Sequence, residues 1–152
     1  MTLYTLTQIA VAKESWEFWR LLVPADFHSA ALLGNEDGET SFIVHIAGDE
    51  GYAKGIFQWW PARRADILKG TGIDVATAPH LDQLKGAYWE MTQSKVYKKV
   101  WSSLVAATSL EEAVTVLVKD YERSANQSRD VARRLTLGTY WLDYAQKNWS
   151  AQ

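Results

Sequence analysis

Residues 34–60, GNEDGETSFIVHIAGDEGYAKGIFQWW, are the stretch from which the fold can be read. Upstream, residues 25–38 place Phe27, Ala30, Ala31 and Leu33 at helical spacing, so the stretch opens on the end of a helix. Gly34 and Gly38 are four apart and share one helical face. Each costs about 1 kcal/mol of helix propensity against Ala, and two so close together predict a helix that ends where another backbone or a ligand comes near. Glu39 then stands just past the helix end. Residues 43–46 read as a short strand and 47–51 as a turn freed by Gly48 and Gly51. Residues 52–59 read as the returning strand, which makes a β-hairpin.

Working outward, Leu6, Ile9, Ala12, Trp16, Trp19 and Leu22 predict an amphipathic helix over 5–22, and Pro24 restarts the chain as the next helix. Pro61 begins a helix over PARRADILK that Gly70 caps. Residues 72–79 form a loop, and helices follow over 80–93 and 95–106. Ser109 and Glu112 form a capping box for a helix over 110–119, with Val114, Leu117 and Val118 facing inward. Residues 121–128 are a polar break. A last helix over 129–148 has Val131, Leu135, Leu142 and Ala145 in step. The predicted fold class is α+β, mainly α: a helical lobe with one small β-hairpin beside a cleft that residues 34–60 line. A length of 152 residues predicts a single domain spanning 1–152.

Composition narrows the function. Eight Trp and seven Tyr are enough to build a core and also line a sugar cleft. A net charge of −2 argues against a nucleic-acid partner, which calls for a basic stripe. Attraction to an anionic surface would have to come from a local patch. There are no cysteines, which removes disulfides and thiolate metal sites. His28, His45 and His80 are scattered without metal-ligand spacing, so no metal and no cofactor are expected. The N-terminus lacks a basic region and an apolar run of signal-peptide type, and no apolar run approaches the roughly 18 residues of a membrane helix, so no membrane insertion is expected.

Glu39 and Asp49, one at a helix end and one in a hairpin turn, with Gln58, Trp59 and Trp60 close by in sequence, fit glycosidic bond cleavage. That chemistry needs one group to protonate the leaving oxygen and another to hold water or stabilise an oxocarbenium-like sugar. The acid must keep its proton near neutral pH, which apolar surroundings favour. Glu39 suits that part, with Phe42, Phe57 and the Trp pair around it. Asp49, in a Gly-x-x-Gly turn open to solvent, suits the ionised part. Spacing alone favours a plainer reading, a surface Glu at a helix end and an ordinary turn Asp.

The runs ALLGNEDGETSF and GDEGYAKGIFQW, with the later YERSANQSRDVARR, resemble the phage tail lysozyme family in motif order and spacing over roughly residues 16–145. The resemblance implies a lysozyme-like fold and cleavage of the peptidoglycan glycan strand. It places the family's catalytic Glu on Glu39, its Gly-Asp turn on Gly48 and Asp49, and its Gly-Ile-x-Gln-Trp motif on Gly55, Ile56, Gln58 and Trp59. Thr40 and Ser41 stand where the family has Ser-Gly, and Ser124 stands where it has Pro. Glu36 and Asp37 add two carboxylates before Glu39, which raises the acid's expected proton affinity or marks contact with a basic partner.

On this reading Glu39 is the general acid and Asp49 orients water. Gln58, Trp59 and Tyr121 contact the glycan, Trp59 being preferred over Trp60. Arg63 and Arg64 either meet anionic peptide stems or form a solvated helix face. Glu122 and Arg123 read as a structural ion pair, and Trp16, Trp19, Trp141 and Trp149 as core. Two alternatives stay open: a lytic transglycosylase using Glu39 alone, and a lysozyme-like domain that binds glycan, or a partner in a tail or secretion assembly, without turnover. Action in the periplasm or on a virion is implied, with no export signal visible in the chain.

Overall fold

The computed structural model describes residues 3–149. Seven helices surround one short hairpin: α1 Leu6–Arg20, α2 Asp26–Thr40, β1 Ala47–Gly48, β2 Ala53–Lys54, α3 Pro61–Thr71, α4 His80–Gln93, α5 Val100–Ala106, α6 Leu110–Val116 and α7 Gln127–Asn148. The expected class, mainly helical with a small antiparallel sheet and consistent with a lysozyme-like fold, is what the structure has.

Helix α2 is the axis of the molecule. Every residue from 28 to 37 is buried, and a helix enclosed on all sides belongs at the centre of a core. Helices α1, α6 and α7 pack around it. Its glycines do not end it, contrary to expectation: the helix runs through Gly34 and Gly38 to Thr40. The reason is α7. A Cβ on Gly34 would stand 2.8 Å from the Arg134 carbonyl oxygen and 2.9 Å from the Gly138 nitrogen. The propensity lost at glycine is offset by a helix crossing that no larger residue permits. Glu39 therefore lies in the last turn of the helix.

Helix α7 turns a different face inward from the one its aliphatic residues predicted. Arg134, Gly138, Trp141 and Ala145 are its buried stripe, while Val131, Leu135 and Leu142 are half-buried, Ala145 being common to both. Trp16, Trp19, Trp141 and Trp149 are core, as read. Helix α4 matches its expected bounds, whereas only 100–106 of the expected 95–106 helix forms.

The hairpin is smaller than expected. Ala47 pairs with Lys54 and Gly48 with Ala53, and residues 43–46 form no strand. Side chains replace the ladder there. The Gln83 amide donates to the Val44 and Ala78 carbonyls at 3.1 and 3.0 Å and accepts from the Ile56 N–H at 2.9 Å. Beyond α6 the chain widens into a π-turn over Leu117–Glu122, closed by Arg123 in the left-handed region. Such turns recur at functional sites. Here it presents Tyr121 and Glu122.

Candidate active site

Three carboxylates close α2, and the helix period sends them in three directions. Glu36 is fully buried and accepts from Ser15 Oγ at 2.5 Å and from His80 Nε2 at 2.8 Å. Asp37 is buried and accepts from Tyr4 Oη at 2.5 Å and Trp141 Nε1 at 2.9 Å. Both are committed to the core, so the acidic run is not a surface patch for a basic partner. Glu39 alone of the three keeps exposed surface, 16 % of its side chain.

Glu39 is held by an ion pair rather than by an apolar wall. Arg134 Nη2 donates to Glu39 Oε1 at 2.5 Å, and Nη1 of the same guanidinium donates to Asn35 Oδ1 at 2.5 Å. Asn35 in turn donates from Nδ2 to Glu122 Oε1 at 2.8 Å. The order is Glu39, Arg134, Asn35, Glu122, and Arg134 and Asn35 are both buried. Glu122 is thus a partner of Asn35 rather than the other half of a pair with Arg123. Burial first, then the neighbouring Glu39 charge, push its carboxyl well above the usual carboxylate range, against the pull of Arg63, Arg134 and the Asn35 bond. Among the described residues Arg134 Nε is buried without a partner, as are Trp16 Nε1, Trp19 Nε1 and Ser29 Oγ, a cost of roughly 1–3 kcal/mol each.

Backbone strain gathers around the same place. The non-glycine residues with left-handed φ are Ser41, Phe42, Asp49, Glu50, Gln58 and Arg123, all in the segment after Glu39 or at the end of the π-turn. Such residues cost about 1–3 kcal/mol each and cluster at functional sites. Ser41, with φ 53°, occupies the position where the motif has Gly. The backbone keeps the glycine conformation although the side chain has changed. Ser124, at the motif's Pro, uses the N–H that Pro lacks to donate to the Val118 carbonyl at 3.1 Å.

The other expected site residues are placed as follows. Asp49 is exposed in a single 3₁₀ turn between β1 and β2, and its carboxylate accepts no hydrogen bond among the described residues. Gln58 spends both amide hydrogens on the hairpin, donating to the Gly55 and Ile46 carbonyls at 3.0 and 3.4 Å. It braces the turn rather than reaching out as a sugar donor. Trp59 and Tyr121 have no exposed surface, so neither ring offers a face to a glycan, contrary to expectation. Trp59 Nε1 donates to Glu90 Oε1 at 3.1 Å and Tyr121 Oη at 3.2 Å. Burial pushes the Tyr121 hydroxyl well above the usual tyrosine range, so it stays protonated. Trp60 is exposed, at 50 %, and stacks on the exposed Tyr52 with ring centroids 5.6 Å apart and planes within 5°.

Arg63 is tied down as well. It makes two bonds to Glu90, at 2.9 and 2.8 Å, and its guanidinium lies over the Tyr97 and Tyr121 rings at 4.4 and 4.7 Å. Burial alone would lower its proton affinity, but Glu90 outweighs burial and raises it. Arg64 staples the hairpin by donating to the Tyr52 and Trp59 carbonyls. The three histidines bond to protein groups: His28 to the Ala107 carbonyl, His45 to the Ala78 carbonyl and His80 to Glu14 and Glu36.

A family model described as phage tail lysozyme matches residues 10–145. The chain belongs to the phage tail lysozyme family. The match spans α1 to α7 and takes in the whole network from Asn35 to Arg134. Membership in this family points to a lysozyme-like peptidoglycan hydrolase. A search of curated proteins returned no match. Among the described residues no helix is long and apolar enough to cross a membrane. Sequence reading missed Asn35, Gln83, Glu90, Glu122 and Arg134 as members of the site and its supports. One signal was available: the stripe Ala145, Trp141, Gly138, stepped back four residues, reaches Arg134, and an arginine on a buried stripe needs an acidic partner.

Proposed function

We propose that the protein cuts the glycan strand of peptidoglycan at the β-1,4 bond between N-acetylmuramic acid and N-acetylglucosamine, with Glu39 as general acid. The observation that carries this reading is the separation of Glu39 from its neighbours: Glu36 and Asp37 are sealed in the core, while Glu39 is partly open and clamped through one oxygen by Arg134. Glu39 Oε2 has no partner among the described residues and is the oxygen left to face the glycosidic oxygen. In the reaction Glu39 gives a proton from Oε2 to the leaving oxygen, the C1–O bond breaks, positive charge develops on the sugar ring, and the water that then adds to C1 gives up a proton. Asp49, exposed in its turn, holds the water that adds to C1. The stacked Trp60 and Tyr52 rings give an apolar platform for a pyranose face. Trp59, Tyr121 and Gln58 support the wall from behind. The protein would act at the wall, from a virion or the periplasm.

A second reading, a lytic transglycosylase, draws on the lack of any brace on the Asp49 carboxylate. In that reaction the sugar's own O6 attacks C1 and Asp49 is dispensable. Product analysis on purified peptidoglycan with the parent protein, Glu39→Gln and Asp49→Asn tests both. Hydrolysis predicts reducing ends that both variants lose. A product lighter by one water, retained by Asp49→Asn, replaces the first reading with the second. Cleavage by Glu39→Gln at the parent rate overturns both.

A further inference from the structure

The molecule has a basic groove although its net charge is −2. The groove lies between the 94–99 turn and the 119–123 segment, has a volume of about 480 Å³, and is lined by Lys99, Lys119, Arg123, Ser103 and Val100. Lys95 and Lys98 flank it in the same turn. All five cations are exposed, and none forms an ion pair among the described residues. One acid, Asp120, lines the groove. Exposed cations usually lie among carboxylates, so five without a partner around one concavity set up a local positive field in an acidic protein.

The groove is also partly ordered in advance. The Arg123 guanidinium lies 4.7 Å over the Tyr97 ring, whose neighbour Arg63 is already neutralised by Glu90. Arg123 is fixed from the backbone side too, as the left-handed residue that closes the π-turn. It directly follows Glu122, so the groove begins one residue from the network that reaches Glu39 through Asn35 and Arg134.

We propose that this groove binds the carboxylate-bearing peptide stems that branch from the glycan strand. The inference rests on the glycan-cutting reading above. A stem hangs from the muramic acid beside the scissile bond and carries several free carboxylates. Extended at about 3.5 Å per residue, a stem of four residues reaches roughly 14 Å. Ammonium and guanidinium groups pair with carboxylates, and Ser103 adds a hydroxyl donor.

The test compares intact peptidoglycan with glycan strands stripped of their stems by an amidase. The parent protein is expected to have a lower KM on intact material. The Lys99→Gln/Lys119→Gln variant is expected to lose about threefold to tenfold in kcat/KM on intact material. On stripped strands its kcat/KM should match the parent's. The intact-substrate advantage should shrink as salt shortens the Debye length from roughly 30 Å at 0.01 M to roughly 8 Å at 0.15 M. Equal losses on both substrates, or no loss on either, overturn the proposal. A second arm does not depend on turnover: calorimetric titration with a soluble tetrapeptide stem should give binding that the variant weakens by a similar factor. Binding of a polyphosphate oligomer with none of the stem peptide overturns it in favour of a phosphate polymer. Cleavage of neither substrate, with stem binding intact, sinks the glycan-cutting reading and leaves the groove standing.

Discussion

Two polar clusters hang from α2, and they face opposite fates. Toward α1 and α4, Glu36, His80, Glu14 and Ser15 form one cluster, with His80 bonded at 2.5 Å to Glu14 and 2.8 Å to Glu36. Toward α7, Glu39, Arg134, Asn35 and Glu122 form the other. In the first, the central carboxylate is completely buried and both its oxygens have donors. In the second, a carboxylate oxygen and a guanidinium nitrogen have no partner among the described residues, and the backbone after Glu39 is strained. The comparison teaches which of two clusters, both containing Glu and a cation, leaves a carboxylate oxygen available. The first leaves neither oxygen of its central carboxylate without a donor, and the second leaves Glu39 Oε2 without one among the described residues.

The largest effect separates the two clusters by readout. Glu39→Gln should lower the rate of glycan cleavage by roughly 10²–10⁴, the usual worth of a general acid, and lower the melting temperature less than Glu36→Ala does, because the Gln oxygen still accepts from Arg134. Reducing-end or anhydro-sugar release, read beside thermal unfolding, checks it. Glu36→Ala should do the reverse. Removing one partner of a buried pair costs about 3–5 kcal/mol, so the unfolding midpoint in urea should fall sharply while the folded fraction still cuts. If Glu36→Ala abolished turnover in protein shown to be folded, the assignment of roles would be inverted.

A smaller effect tests the helix crossing both clusters depend on. Gly34→Ala should cost about 1–3 kcal/mol, because its Cβ would meet α7 backbone, which cannot swing aside. An unchanged or raised urea midpoint would show that the crossing has slack. His80 adds a pH dependence. Burial alone would lower its proton affinity, but Glu36 and Glu14 outweigh burial and raise it. The stabilisation from the folded protein's raised affinity is therefore fully present below the unfolded histidine value, about 6.5, and is lost as pH rises through the folded value. The parent's melting temperature should decline over that window, and His80→Asn should flatten the decline. Ser41→Gly is the mildest test, with an expected gain of about 1 kcal/mol from relief of the left-handed strain at φ 53°.

Much of the fold was legible because it rests on local chemistry. Pro61 at the first helical position, the Ser109 cap and the period of 80–93 each act within a few residues, and the elements they predict are present. The hairpin was overestimated because residues 43–46 are tied by the Gln83 amide from a helix 39 positions away, a bond that no strand pattern reveals. The aromatic readings divided for a similar reason. Trp59 and Trp60 are adjacent, yet one is sealed against Glu90 and the other stands half in solvent. Adjacent residues in an extended segment point to opposite sides, and only the packing of α3 and α4 decides which side is inside.

By itself the sequence determined that this is a mainly helical domain of the tail lysozyme family, with a glycine pair opening a stretch that ends in a Trp pair. Glycine, proline and apolar period are read out locally, and a family motif is a matter of order along the chain. Only the tertiary structure decided which carboxylates are sealed in the core. Glu36, Asp37 and Glu39 are chemically alike and nearly consecutive. The turn of α2 rotates the first two into donors supplied by α1, α4 and α7, and leaves Glu39 at the edge with Arg134. Burial and partner are set by residues 21 to 104 positions away, and those two quantities make one carboxylate a piece of the core and leave another partly exposed.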